Sequence, residues 1–78
     1  MVQDLIFSLV KIERARQEEK FGDHTCASKH LGNSFKSVIL GEEVGEVCRA
    51  ICDGDKENLK DELVQVMAVA CAWLESLY

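Results

Sequence analysis

The chain has 78 residues and a formal net charge of −5, from 14 Asp and Glu against 9 Lys and Arg. Residues 1–78 are expected to form one domain, because two domains of half this length would each be too small to form a core unaided. The net negative charge argues against a DNA- or RNA-binding module, since such modules bind nucleic acid through basic residues that neutralise phosphates. The 47% of hydrophobic residues excludes a disordered chain.

The first predicted element is a helix from about Val2 to Lys20. Apolar residues at Leu5, Leu9 and Ile12 follow the three- and four-residue spacing of one helix face. The segment from Phe21 to Gly32 is predicted to be a loop, because glycine and polar residues occur at both of its ends.

Two further helices are predicted downstream. The second begins with Asn33 or Ser34 as its N-cap and runs to about Cys52. A tight turn at 53–55 follows, and the third helix runs from about Lys56 to the end. No alternating strand pattern occurs, so the predicted fold class is all-α, and the short turn makes the last two helices antiparallel neighbours.

The third helix is apolar on nearly every side, which is typical of a helix buried from several directions. Two other helices in so short a chain cannot cover it. We therefore expect a three-helix protomer that completes a helical bundle by oligomerisation. The apolar residues of this helix are Leu63, Val64, Val66, Met67, Val69, Ala70, Cys71, Trp73 and Leu74.

The four cysteines are predicted to be buried free thiols of a cytoplasmic protein. Cys48, Cys52 and Cys71 lie among apolar residues in helical patterns, and Cys26 alone lies in a loop. The longest run without charge has 12 residues, which is too short to span a bilayer, so no membrane association is expected.

The second helix gathers three carboxylates on one patch, because each residue turns about 100° and residues four apart align. They are Glu42, Glu43 and Glu46. The same stripe carries three residues predicted to belong to the core, namely Phe35, Val38 and Ile39. Like charges beside apolar surface are unfavourable. The patch is therefore either a solvated acidic face or the site of a divalent cation.

The third helix adds to this patch. Glu62 and Gln65 share one face, and the short turn folds them back beside residues 42–46. Oxygen ligands from carboxylates suit Mg²⁺ or Mn²⁺, and Mg²⁺ in proteins often completes its coordination with substrate phosphates. The pattern therefore points to a phosphorylated substrate.

These motifs resemble the MazG-like branch of the all-α nucleoside triphosphate pyrophosphohydrolases, whose pattern is EExxE, a spacer and ExxD. Here Glu42-Glu43-x-x-Glu46 is followed by 15 residues and then Glu62. Upstream, Glu13-Arg14-Ala15-Arg16-Gln17 and Lys20-Phe21-Gly22 resemble the ERxRQ…KxG opening of small phage- and bacterial-type members. The resemblance covers about residues 12–77.

The resemblance implies a helical bundle completed as a homodimer or homotetramer. It also implies hydrolysis of a nucleoside triphosphate to the monophosphate and pyrophosphate, with Mg²⁺, or alternatively Mn²⁺, as cofactor. Carried over to this chain, the catalytic and metal-binding carboxylates are Glu42, Glu43, Glu46 and Glu62. Gln65 becomes a further, neutral metal ligand, and substrate binding falls to Arg16, Lys20 and Phe21.

One position departs from the family pattern, because Gln65 stands where ExxD has its aspartate. An amide oxygen can ligate a hard cation but brings no charge, which weakens the case for a second metal and for high activity. The alternative reading is therefore a non-catalytic helical module of the same fold, for oligomerisation or for binding nucleotide or metal. A purely structural bundle leaves the acids beside Phe35 and Ile39 unexplained.

Seven other residues have no assigned role in the resemblance. Lys36 is predicted to be a surface lysine of the second helix, and Trp73 a core or interface residue. Gly41 and Gly45 are predicted to allow a close helix crossing. His24, Cys26 and His30 match no strong zinc-site spacing.

Overall fold

The computed structural model describes all 78 residues and contains three α-helices and no strand. Helix α1 spans Val2–Phe21, and a short 3₁₀ turn at Gly22–His24 follows it. Helix α2 spans Asn33–Asp53 and helix α3 spans Lys56–Ser76. The predicted all-α class is confirmed. None of the three helices combines the length and the hydrophobicity that a membrane span requires.

Helix α2 begins one or two residues earlier than predicted. Its N-cap is Gly32, so the expectation of Asn33 or Ser34 at this position is wrong. The Asn33 side chain has a tertiary role instead, because its Oδ1 accepts a hydrogen bond of 2.9 Å from the indole N–H of Trp73. This bond joins the start of α2 to the last turns of α3.

The turn between α2 and α3 follows the sequence prediction. Gly54 adopts the left-handed conformation, with φ 66°, that a helix C-terminus often requires. Asp55 caps α3, since its side chain accepts a hydrogen bond of 3.0 Å from the backbone N–H of Asn58. The two helices therefore form a tight antiparallel hairpin.

Helix α3 lies between the other two helices. It packs against both α1 and α2, whereas α1 and α2 do not pack directly on each other. This arrangement leaves a space between α1 and α2 whose floor is α3.

The core of the single chain is small. Its buried hydrophobic residues are mostly short: Val10, Cys26, Ala50, Ala68, Val69 and Ala72. Phe35 and Val38 were expected in it, but 52% and 59% of their surfaces are exposed. Ile39, expected with them, does pack against the core, but Phe35 and Val38 point outward because the inward stripe of α2 contains Lys36 and Ala50.

Helix α1 also exposes its apolar stripe. Leu5, Leu9 and Ile12 are exposed, and the helix instead buries Glu13 and Arg14. Three residues of α3 are likewise exposed in the single chain, namely Leu63, Met67 and Leu74. These surfaces are what oligomerisation would cover, and assembly stays a prediction.

The cysteines form no disulfide, as expected, but only Cys26 is buried. Cys71 is half-buried, and the prediction of burial is wrong for Cys48 and Cys52, which lie exposed on α2. The close helix crossing expected at Gly41 and Gly45 is also absent from the single chain. A Cβ added at either glycine would meet no atom within 4 Å.

Lys36 contradicts the prediction of a surface lysine, since only 2% of its surface is exposed. Its Nζ donates hydrogen bonds of 2.8 Å to the Ser28 carbonyl and 2.7 Å to the Ser76 hydroxyl. Lys36 thus ties the loop, α2 and α3 together.

Candidate functional site

A groove of about 340 Å³ lies where the three helices face one another. Helix α2 contributes three of its carboxylates, α3 contributes a carboxylate and an amide, and α1 contributes one guanidinium. The lining residues are Arg16, Glu42, Glu43, Glu46, Glu62 and Gln65. The structure therefore brings together all four predicted carboxylates and Gln65.

The carboxylates in this groove repel one another, and the pKa of Glu43 shows this repulsion most clearly. Burial is the largest cause raising the pKa of the half-buried Glu43 carboxyl, and the nearby charge of Glu62 is the next. The charges of Glu46, Glu13 and Glu42 act in the same direction. A bound cation would relieve this repulsion.

The donors fit a hard divalent cation in kind, since they are carboxylate oxygens together with the amide oxygen of Gln65. The carboxylates surround the groove without converging on one point. No three Asp, Glu, His or Cys side chains already stand at metal-binding geometry. Binding of a cation by this set stays a prediction.

Arg16 is the one basic residue that lines the groove, and it is paired with Glu13. Arg16 Nε lies 2.9 and 3.1 Å from the two Glu13 carboxylate oxygens, and Nη2 lies 2.7 Å from one of them. The hydrogen bond from Arg16 is the largest cause lowering the pKa of the buried Glu13 carboxyl. The pair therefore stays ionised at neutral pH.

A second cavity of about 250 Å³ adjoins the acidic groove. The two spaces share three lining residues, Arg16, Glu43 and Gln65, one from each helix. The rest of the second cavity is more apolar, and the loop after α1 forms part of its wall. Its other lining residues are Gln17, Phe21, His24, Thr25, Cys26, Ile39 and Val69.

The three predicted substrate-binding residues have different positions. Arg16 lines both spaces, and Phe21 lines the second cavity with 46% of its surface exposed. Lys20 lines neither, and its Nζ lies 5.2 Å from the centre of the Phe21 ring. Phosphate binding by Lys20 stays a prediction. Trp73 also lines neither space; it packs against buried residues of the core, as one of its two predicted roles requires.

Sequence reasoning missed Gln17, Thr25, Ile39 and Val69 as cavity residues. A usable signal existed for Gln17, because Val10, Glu13, Arg14 and Gln17 have the spacing of one helix face. That face is mostly polar, and it was therefore not selected as the buried one.

Polar contacts hold the loop and α1 in place around the cavity. The Thr25 hydroxyl donates a hydrogen bond of 2.8 Å to Glu18 and accepts one of 3.2 Å from the Ala27 N–H. Arg14 joins α1 to α3 through hydrogen bonds of 2.7 and 3.2 Å to Glu75. The cavity walls are thus fixed by side chains of α1, the loop and α3.

Comparison with known protein families gives one match, and it falls on the α2–α3 hairpin. Residues 33–77 match the model of the MazG nucleotide pyrophosphohydrolase domain. No curated protein and no solved structure matches the chain significantly. The matched segment covers more than half of the chain and includes all four groove carboxylates and Gln65. The chain belongs to the MazG nucleotide pyrophosphohydrolase family.

Proposed function

We propose that the protein is a nucleoside triphosphate pyrophosphohydrolase that depends on Mg²⁺ or Mn²⁺ and converts (d)NTP to (d)NMP and pyrophosphate. The observation that carries the proposal is the acidic groove joined to a more apolar cavity. A nucleoside triphosphate has a polyanionic end that needs cations and a flat heterocyclic end that suits apolar walls. Membership of the family supports the same reaction.

The acidic groove is the proposed metal and phosphate end. A divalent cation would be held by Glu42, Glu43, Glu46 and Glu62, with the Gln65 amide oxygen as a neutral donor. Such a cation neutralises phosphate charge and makes bound water more acidic. Without a counter-charge, a triphosphate would be repelled by the four carboxylates.

The second cavity is the proposed nucleoside end. Phe21, Ile39 and Val69 offer the apolar surface that ligand cavities commonly present to a base, and Gln17 and Thr25 offer polar groups beside it. Lys20, next to Phe21, remains a proposed phosphate contact at the edge of the site.

In the proposed reaction, water attacks the α-phosphorus. The bond from that phosphorus to the oxygen that bridges it to the β-phosphorus breaks, and pyrophosphate leaves with that oxygen. Glu43 lines both spaces and therefore lies where the α-phosphate would sit. Its carboxylate is the proposed group that orients the attacking water and accepts its proton.

The proposal includes self-association as a homodimer or homotetramer. Large apolar side chains are exposed on all three helices, including Leu9, Val38 and Leu63. Exposed apolar surface of this extent typically marks an interaction site. Copies of the same chain would cover it and enlarge the small core.

The alternative is a non-catalytic module that binds nucleotide or metal. Gln65 favours it, because this residue leaves the groove one charge short of the family pattern. The test is a panel of ribo- and deoxyribonucleoside triphosphates, assayed for pyrophosphate release with and without Mg²⁺ or Mn²⁺. We expect metal-dependent release that falls roughly 10- to 100-fold or more in Glu62→Gln.

The matched control is Glu57→Gln, which removes an exposed α3 carboxylate that pairs only with Lys60. It should retain wild-type release. Binding of nucleotide without pyrophosphate release on any member of the panel would support the non-catalytic module instead.

A further inference from the structure

The guanidinium of Arg16 is held along one edge and free along the other. A guanidinium has five N–H donors arranged in a planar fork. Glu13 takes Nε–H and one hydrogen of Nη2, and Arg16 makes no other hydrogen bond in the protein. The two hydrogens of Nη1 and the second of Nη2 remain, and half of the side-chain surface is exposed. This free edge has the geometry that binds two oxygens of a phosphate.

Glu13 is well placed to fix this orientation because it is itself buried on α1, with 9% of its surface exposed. The nearby amide side chains of Gln65 and Gln17 also lower the pKa of its carboxyl. Without Glu13, the Arg16 side chain would be drawn toward the unpaired carboxylates that line the same groove, such as Glu43. Arg16 would then compete with a metal ion and would leave its present position.

The position of Arg16 identifies the phosphate it would meet. It lines both the acidic groove and the more apolar cavity. In a nucleoside triphosphate that spans the two spaces, the phosphate at their junction is the one bonded to the nucleoside. We infer that Glu13 is a positioning residue that presents the free edge of Arg16 to the α-phosphate. The inference rests on the proposed function and deepens it.

The test measures binding, so that it does not depend on turnover. Dissociation constants for the common nucleoside 5′-monophosphates and for the matching nucleosides are determined by calorimetry in Mg²⁺. We expect the wild type to prefer the monophosphate. In Arg16→Lys and Glu13→Gln this preference should fall by about tenfold, while nucleoside affinity stays within about twofold, because only the bidentate phosphate contact is lost.

Two comparisons separate positioning from a general structural role. Glu75→Gln breaks a similar Arg–Glu pair, that of Arg14, at a place that lines neither space. It should keep the full preference for the monophosphate. In the Arg16→Lys background, Glu13→Gln should cause no further loss, because Glu13 acts through Arg16. Circular-dichroism melts verify that each variant is folded.

Several outcomes would overturn the inference: no preference for the monophosphate in the wild type, an unchanged preference in folded Arg16→Lys, or full additivity of the two changes. If Glu13→Gln does not fold, Glu13→Asp takes its place, and the same additivity test applies. Pyrophosphate release by the wild type is assayed separately. If the wild type releases pyrophosphate but Arg16→Lys leaves the preference for the monophosphate unchanged, the inference alone is refuted. If that preference depends on Arg16 but no pyrophosphate is released, the proposed function alone is refuted.

Discussion

Replacing Glu43 by glutamine removes a carboxylate from the centre of the acidic groove while keeping the size of the side chain. The charges that surround Glu43 are those of Glu62, Glu46, Glu13 and Glu42. A like-charge neighbour on a helix surface costs roughly 0.2–0.5 kcal/mol. We therefore expect Glu43→Gln to raise the free energy of unfolding of the metal-free protein by about 1 kcal/mol. For a domain of this size, that corresponds to a rise in Tm of roughly 4–8 °C.

Mg²⁺ should make the wild type more stable than Glu43→Gln. A cation that binds only the folded state stabilises it by RT ln(1 + [L]/Kd), which is about 2.7 kcal/mol when the ligand is at 100 times Kd. The wild type should gain this stabilisation. Glu43→Gln should gain much less, because it lacks one charged ligand. Thermal melts in chelator and at increasing Mg²⁺ therefore should cross, with the variant more stable at first and less stable at saturation.

The raised pKa of Glu43 determines whether the stability of the protein rises or falls with pH. The folded state holds this proton more tightly than the unfolded state, whose carboxyl has the ordinary value of 4.5. The free energy of unfolding should therefore fall as pH rises from about 4.5 through the raised pKa, and Glu43→Gln should lack this fall.

Glu13 and Glu75 affect the pH dependence of stability in the opposite direction, because arginine partners lower their pKa values below 4.5. Their contribution to stability is present above 4.5 and is lost as pH falls through the lowered values. Urea unfolding in chelator, measured across both pH ranges, separates the two effects. Glu57→Gln is the control, since its carboxylate is exposed on α3 outside the groove. A metal-free Glu43→Gln protein that is no more stable than wild type, and equally sensitive to Mg²⁺, would refute this reasoning and indicate a solvated acidic face.

Three further changes have definite expected outcomes. Gln65→Asp restores the ExxD pattern, so it should destabilise the metal-free protein by roughly 1–3 kcal/mol but exceed the wild type in stability at saturating Mg²⁺; a variant that stays less stable in a magnesium titration would argue against a metal site. Met67→Lys places a charge on the exposed apolar side of α3 and should weaken assembly and stability together in sedimentation and melting, whereas a well-folded wild-type monomer at micromolar concentration would contradict the oligomer. Lys36→Met removes the hydrogen bonds to the Ser28 carbonyl and the Ser76 hydroxyl and should lower the free energy of unfolding by roughly 1–3 kcal/mol. An unchanged midpoint in urea unfolding would show that those bonds contribute nothing.

The sequence predicted the acidic groove well because its geometry is local. Helical periodicity places Glu42 and Glu46 on one side, and a turn of two residues leaves α3 little freedom in how it folds back. Glu62 and Gln65 then face the same space by their own spacing. Each of these steps depends on residues close together in the chain.

The sequence failed where burial depends on how α1 and the loop approach α2. Hydropathy favours Phe35 and Val38 as inward positions, whereas the observed inward stripe contains Lys36 and Glu43, seven residues apart. Both are charged, so an apolar pattern cannot identify them. Lys36 is tolerated inside because the loop and the end of α3 supply two acceptors, and neither acceptor is near it in sequence.

The shape of the second cavity also could not be predicted from the sequence. Its walls include Thr25 and Cys26 from the loop, and a loop has no periodicity from which the direction of a side chain can be deduced. The contacts that determine its shape, such as that between Thr25 and Glu18, depend on the bend after α1.

The hairpin of α2 and α3 contains every groove carboxylate, whereas α1 and its loop supply most of the second cavity and the Arg16 edge. If the proposed function holds, reaction chemistry and substrate choice are thus encoded in separate stretches of one short chain. Substitutions at positions such as Gln17 or Phe21 can reshape what the cavity admits while the carboxylates keep their mutual spacing, because that spacing is set within the hairpin. Exchange of α1 between relatives would therefore be expected to transfer selectivity for a base without transferring the catalytic apparatus.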